Sequence, residues 1–122
     1  MSMPTILVVD DCQSIRLAVK RILTEAGYSV IVARDGDEAL RKLSEDPALI
    51  VLDINMPGLD GYGFCERMVD EIPTHAEIPV VFLTSENSKA LEMLGVEMGA
   101  YLQKPVNNDA LLAVVASQLQ SA

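Results

Sequence analysis

Positive charge is scarce in this chain. Lys and Arg total 9 against 18 Asp and Glu, a formal net charge of −9 with a pI near 4.4. A nucleic-acid surface needs clustered Lys and Arg to meet the phosphates, so no direct DNA or RNA contact is expected. Long apolar runs are missing as well. The longest clean one, Ala110 to Ala116, falls far short of the roughly 20 residues of a membrane span. Met1-Ser2-Met3-Pro4 places no basic stretch ahead of an apolar one, so neither membrane association nor a signal peptide is expected. The 2 cysteines, Cys12 and Cys65, make no ligand cluster and no disulfide framework. What is abundant is apolar residues, 50% of 122, too many for a disordered chain and enough for a core without staples. The expectation is one cytoplasmic domain over residues 1–122. The open question is whether the excess acid is spread over a solvated surface or partly gathered in a site.

Four short runs rich in Val and Ile, Thr5 to Val9, Ser29 to Ala33, Leu49 to Leu52 and Pro79 to Leu83, lack the alternation of half-exposed strands. They read as strands buried on both faces of a parallel sheet. Ala100 to Gln103 is a weaker fifth. Helical period fills the intervals. In the first helix, about Cys12 to Ala26, Ile15, Ala18, Val19, Ile22, Leu23 and Ala26 fall on one stripe, Leu17 projects almost opposite, and Gly27 stops the helix. Asp35-Gly36-Asp37 opens the second helix, and Pro47 closes it off before the third strand. Tyr62 to Ile72, Ser88 to Met98 and Asn108 to Gln120 complete the set, the Ser88 to Met98 helix weakened by Gly95. Five βα units of this kind form an α/β fold, a doubly wound five-stranded parallel sheet with helices on both faces. Sites in such sheets form at the carboxyl ends of the strands.

Polar residues stand at those ends: Asp10 and Asp11 after the first strand, Asp53 after the third, Thr84 after the fourth, Lys104 after the fifth. Singly, Asp11 reads equally as a helix cap and Thr84 as a turn residue. Their convergence on one sheet edge points to a site. Three carboxylates within about 5 Å repel by roughly 3 kcal/mol per pair at an effective dielectric of about 20. A hard divalent cation removes the conflict, and carboxylate oxygens suit Mg²⁺. An added ammonium and hydroxyl make an arrangement for phosphoryl transfer, in which a carboxylate can itself be the nucleophile.

The segments Val8-Val9-Asp10-Asp11, Leu52-Asp53-Ile54-Asn55-Met56-Pro57-Gly58-Leu59-Asp60-Gly61, Phe82-Leu83-Thr84-Ser85 and Tyr101-Leu102-Gln103-Lys104-Pro105 resemble the receiver domain of bacterial two-component response regulators. The resemblance runs from about Thr5 to Gln120, with the motifs in family order. It implies a flavodoxin-like strand order 2-1-3-4-5 and a role as a phosphoacceptor rather than an enzyme. Asp53 would take the phosphoryl group from a histidine kinase or phosphotransfer protein. Asp10, Asp11, Asp53 and the backbone carbonyl of Asn55 would hold Mg²⁺. Lys104 would pair with a carboxylate and then with the phosphoryl group, Thr84 would turn its hydroxyl inward, and Tyr101 would follow. The Lys104-Pro105 bond is expected to be cis. Asn55 and Glu86 would tune the phosphoryl lifetime, which this pairing implies is short. The domain would assist its own phosphorylation and dephosphorylation, and its switch would act on a downstream protein effector or an output domain. Two charge-assisted contacts of about 1.5–3 kcal/mol each match the roughly 5 kcal/mol that such a population shift requires.

On the first helix, Ile15 and Leu17, with Pro105, are the expected partner surface. Gly99-Ala100-Tyr101 leaves the loop before the fifth strand two residues shorter than the family commonly has. Cys12 reads as a small packing residue beside the first turn. His75, in a Pro-flanked polar stretch, reads as a surface loop residue and not as a phosphohistidine carrier. Met68, Met93 and Met98 read as packing or interface residues. Other readings compete. A flavodoxin-like cofactor carrier would need a Ser/Thr/Gly-rich phosphate loop where two aspartates stand. A haloacid-dehalogenase-type hydrolase would need Asp-x-Asp after the first strand. A phosphorylation-independent interaction module would usually have lost part of the site. A receiver excised from a larger hybrid kinase or multidomain regulator stays open.

Overall fold

The computed structural model describes residues 3–54, 61–71, 78–84, 99–103 and 106–121. In chain order these are β1 (Thr5–Val9), α1 (Gln13–Glu25), β2 (Ser29–Ala33), α2 (Gly36–Lys42) with a 3-10 turn (Leu43–Glu45), β3 (Leu49–Asp53), α3 (Gly61–Glu71), β4 (Val80–Thr84), β5 (Gly99–Gln103) and a C-terminal helix (Asn108–Ser121). The strands pair in parallel in the order β2-β1-β3-β4-β5. Among the described residues no helix is long and apolar enough to cross a membrane.

Alternate residues of a strand face opposite sides of its sheet, and the core divides on that period. Leu7, Val9, Ile50, Leu52, Val80 and Phe82 pack with Ala39 and Leu43 from α2 and its turn and with Phe64 and Met68 of α3. Ile6, Val8, Leu49, Val51, Val81 and Leu83 pack with Val19 and Leu23 of α1 and with Leu111 and Val115 of the C-terminal helix. Each fully buried aliphatic contributes about 1.5–3 kcal/mol, so two helix layers press the central strands into one rigid platform.

Local chemistry sets the turns that aim the strand ends. At the end of α1, Tyr28 N–H donates to the Leu23 carbonyl (3.1 Å) and Gly27 N–H to the Thr24 carbonyl (3.0 Å), the Schellman pattern that satisfies orphan carbonyls. Gly27 has φ +103, which side-chain-bearing residues rarely adopt. A Cβ there would meet only Met3 Cε, at 3.5 Å, so the cost of Gly27→Ala is backbone strain alone. A loss of about 1–3 kcal/mol is expected, read as a lower urea midpoint with unchanged slope. An unchanged midpoint would contradict this turn. Asp35 caps α2 by accepting from Glu38 N–H (2.8 Å), and acids in its first turn with Arg41 and Lys42 in its last complement the helix dipole.

The architecture agrees with the sequence expectation, with four local departures. β2 runs from exposed Ser29 through half-buried Val30, Ile31 and Val32 to buried Ala33, because it is the sheet edge. β3 and β4 run one residue further than their apolar runs, taking in Asp53 and Thr84. The stripe on α1 is narrower than its apolar content: Val19 and Leu23 are buried, Ile15 and Ile22 half-buried, and Ala18 and Ala26 exposed. Before Pro47, α2 gives way to the 3-10 turn and to Asp46 in a left-handed conformation. The expected Ser88 to Met98 helix, His75, the loop before Tyr101, Met93 and Met98 lie outside the described residues. Met68 is buried as expected.

Candidate functional site

Register brings the polar strand ends together. Val9 pairs with Leu52, and Asp53 with Leu83, so Asp10 follows the last β1 pair beside Asp53, and Thr84 lies one residue beyond the Asp53 partner. The ladder continues through Ile54 N–H to the Leu83 carbonyl (3.1 Å) and Asp10 N–H to the Ala33 carbonyl (3.2 Å). Asp10, Asp53 and Thr84 are 0%, 3% and 0% exposed, and Asp11 is exposed. The result is a buried acidic floor with one acid at its rim.

One carboxylate oxygen from each of Asp10, Asp11 and Asp53 lies within 4.8 Å of the others. For the buried pair Asp10 and Asp53, that separation corresponds to about 3 kcal/mol of repulsion at an effective dielectric of about 20. Solvent screens the exposed Asp11 more strongly. Octahedral Mg²⁺ with oxygens at about 2.0–2.1 Å brings neighbouring ligand oxygens to about 3 Å. The donor set therefore suits Mg²⁺: three hard, anionic oxygens lie within 4.8 Å of one another.

The alternative roles for two of these residues fail on geometry. The cap position of α1 is Cys12, and no side chain caps that helix, so Asp11 is not its cap. Thr84 is a buried strand residue, not a turn residue. Cys12 does not pack beside the first turn; it is exposed, and its N–H donates to Asp10 Oδ1 (2.9 Å). Arg16, which no spacing motif in the sequence singles out, sends Nη1 back to the Asp10 carbonyl at 2.7 Å. Its signal is visible only in three dimensions, since it spans six residues.

Of the other expected site residues, Tyr101 lies in β5 opposite Phe82, and its side chain is not among those described. Asn55, Glu86, Lys104 and Pro105, with the expected cis bond, also lie outside the described residues. Ile15 is half-buried and Leu17 is 51% exposed. An open groove of about 590 Å³ runs between α1 and the start of the C-terminal helix, lined by Ile15, Ala18, Ile22 and Val106 among others.

With this geometry in place, comparison with known proteins is decisive. The chain matches the response regulator receiver domain over residues 6–116. It is 42% identical over 118 residues to the probable transcriptional regulator ycf27 of Cyanophora paradoxa, covering 94% of this chain and 48% of that protein. It is 36% identical to the transcriptional regulatory protein AfsQ1 of Streptomyces coelicolor, covering 97% and 52%. The chain thus spans about half the length of the curated relatives it matches. The crystallised chemotaxis protein CheY4 of Vibrio cholerae superposes with a TM-score of 0.87 at 34% identity, covering 96% of this chain and 99% of that one. The chain belongs to the response regulator receiver domain family, the phosphoacceptor signalling domains of two-component systems. Receiver domains bind Mg²⁺ at an acidic pocket, and this chain carries an acidic cluster of Asp10, Asp11 and Asp53.

Proposed function

We propose that residues 1–122 form one receiver domain in which Asp53 is the phosphoacceptor. The observation that carries this reading is the cluster of three carboxylates that includes the buried Asp53, the last residue of β3. Asp10, Asp11 and Asp53, with the Asn55 carbonyl, would hold Mg²⁺. When bound, the ion neutralises the acids and stabilises negative charge on a phosphoryl group. The Asp53 carboxylate attacks phosphorus, its new O–P bond forming as the donor's bond to phosphorus breaks, and the leaving group departs with that electron pair. Thr84, one residue past the Asp53 partner on β4, supplies a hydroxyl to the product, and Lys104 a positive charge. Tyr101 follows as the second switch residue. The acyl phosphate adds charge and acceptor oxygens, which bias two loop arrangements. Asn55 and Glu86 set a short lifetime by flanking the path of the attacking water, so the domain assists its own dephosphorylation. The test is incubation with acetyl phosphate. Alkali-labile phosphate that appears with Mg²⁺ and not with a chelator supports the reading, and uptake indifferent to Mg²⁺ overturns the metal's part in it.

The donor in this reading is a histidine kinase or phosphotransfer protein, the location is cytoplasmic, and output passes to a protein effector or an output domain. The names of the longer relatives favour an output domain that acts in transcription, with the acidic receiver itself making no nucleic-acid contact. The docking surface is α1. At about 100° per residue, Leu17, Ser14, Ala18 and Ile15 occupy one continuous arc from the exposed side of α1 into the apolar groove, and Pro105 is the third residue assigned to this surface. Leu17→Glu is expected to slow transfer from a cognate kinase and to spare phosphorylation by acetyl phosphate. Equal slowing of both would remove Leu17 from the docking surface.

A further inference from the structure

Three hydrogen bonds close a ring around the first metal-site acid. Cys12 N–H donates to Asp10 Oδ1 at 2.9 Å, Arg16 N–H to the Cys12 carbonyl at 3.0 Å, and Arg16 Nη1 to the Asp10 carbonyl at 2.7 Å. From the other side, Asp10 N–H is held by the Ala33 carbonyl of β2. The carbonyl that Arg16 grips belongs to the planar peptide unit joining Asp10 to Asp11. Its orientation fixes ψ of Asp10 and φ of Asp11, and so the spacing of both carboxylates. Arg16 is half-buried, and a hydrogen bond from a guanidinium is roughly twice as strong as a neutral one.

We infer that Arg16 is a positioning residue for Mg²⁺: it presets the Asp10–Asp11 peptide so that both acids present their oxygens to one ion. The inference rests on the reading of this cluster as the Mg²⁺ site. It makes a prediction opposite in sign to simple electrostatics. A cation beside a cation site repels the ion, so removing charge alone would tighten Mg²⁺ binding. Loss of positioning weakens it, and outer-shell partners typically contribute 10–100-fold in metal affinity.

The experiment is calorimetric titration of Mg²⁺ into the wild-type chain, Arg16→Met and Arg16→Gln, with thermal melts in chelator to establish which variants fold. A folded variant that binds Mg²⁺ about tenfold more weakly, at the lower end of that range, with a melt in chelator near that of wild type, is the expected result. Arg16→Lys keeps the charge and an N–H donor and is expected to fall between wild type and Arg16→Met. Affinity equal to or tighter than wild type in the folded variants overturns the positioning role and leaves the site intact. Failure of the wild-type chain to bind Mg²⁺ overturns the Mg²⁺ reading and the inference together.

Discussion

The Asp53→Asn variant is expected to take up no phosphoryl group from acetyl phosphate, with or without Mg²⁺, while keeping its fold. The carboxylate is the only group the reaction needs as nucleophile, and a neutral amide oxygen is far less nucleophilic. Folding is expected to survive because Asn is isosteric and Asp53 ends its strand, where the core of Leu52 and Phe82 is already closed. Removing one of two buried acids within 4.8 Å also removes repulsion. Far-ultraviolet circular dichroism alongside phosphate uptake separates the two effects. A folded variant that labels as well as wild type would show that Asp53 is not the acceptor.

The second large effect is a stability gap between wild type and Asp10→Asn that opens in chelator and largely closes in Mg²⁺. In chelator, Asp10→Asn is expected to melt above wild type. Its repulsion with Asp53 is lost, up to about 3 kcal/mol at an effective dielectric of about 20. The amide keeps an oxygen for the Cys12 N–H that Asp10 Oδ1 accepts at 2.9 Å. Asp11→Asn is expected to show the same sign and a smaller size, since Asp11 is exposed and solvent screens it. Mg²⁺ at a hundredfold excess over its dissociation constant stabilises a binding-competent chain by about 2.7 kcal/mol. Wild type therefore gains that amount while the Asp10→Asn variant gains little. Urea melts of both chains in chelator and in saturating Mg²⁺ read all four states. A variant less stable than wild type in chelator would show that carboxylate repulsion does not govern the metal-free site. An equal Mg²⁺ response would remove Asp10 from the metal site.

Much of this site was legible because one physical pattern repeats. Val8-Val9, Val51-Leu52 and Phe82-Leu83 are buried strand ends, and each is followed at once by Asp or Thr. A parallel sheet brings such positions to one edge. The strand ends differ from the apolar runs by one residue because the hydrogen-bond ladder, not hydrophobicity, ends a strand: Asp53 still pairs with Leu83 and Thr84 with Gln103. The residue pattern of β2 did not show its edge position, since Val30-Ile31-Val32 is as apolar as a central strand; the strand order implied by the family resemblance did. Ala18 and Ala26 fit the stripe of α1 yet are exposed, because alanine is nearly indifferent to burial. Arg16 was hidden for a different reason. A long side chain reaching back six residues to a carbonyl follows from the tightness of the turn after β1, and no residue spacing announces it.

The central claim is that the buried carboxylate of Asp53 receives the phosphoryl group, and peptide mapping of the wild-type chain tests it most directly. After phosphorylation by acetyl phosphate in Mg²⁺, the acyl phosphate is trapped by borohydride reduction and the digest is read by mass spectrometry. Modification at Asp53 alone is the predicted result. Modification at Asp10 or Asp11 instead, or a borohydride-resistant phosphate at His75, would contradict it.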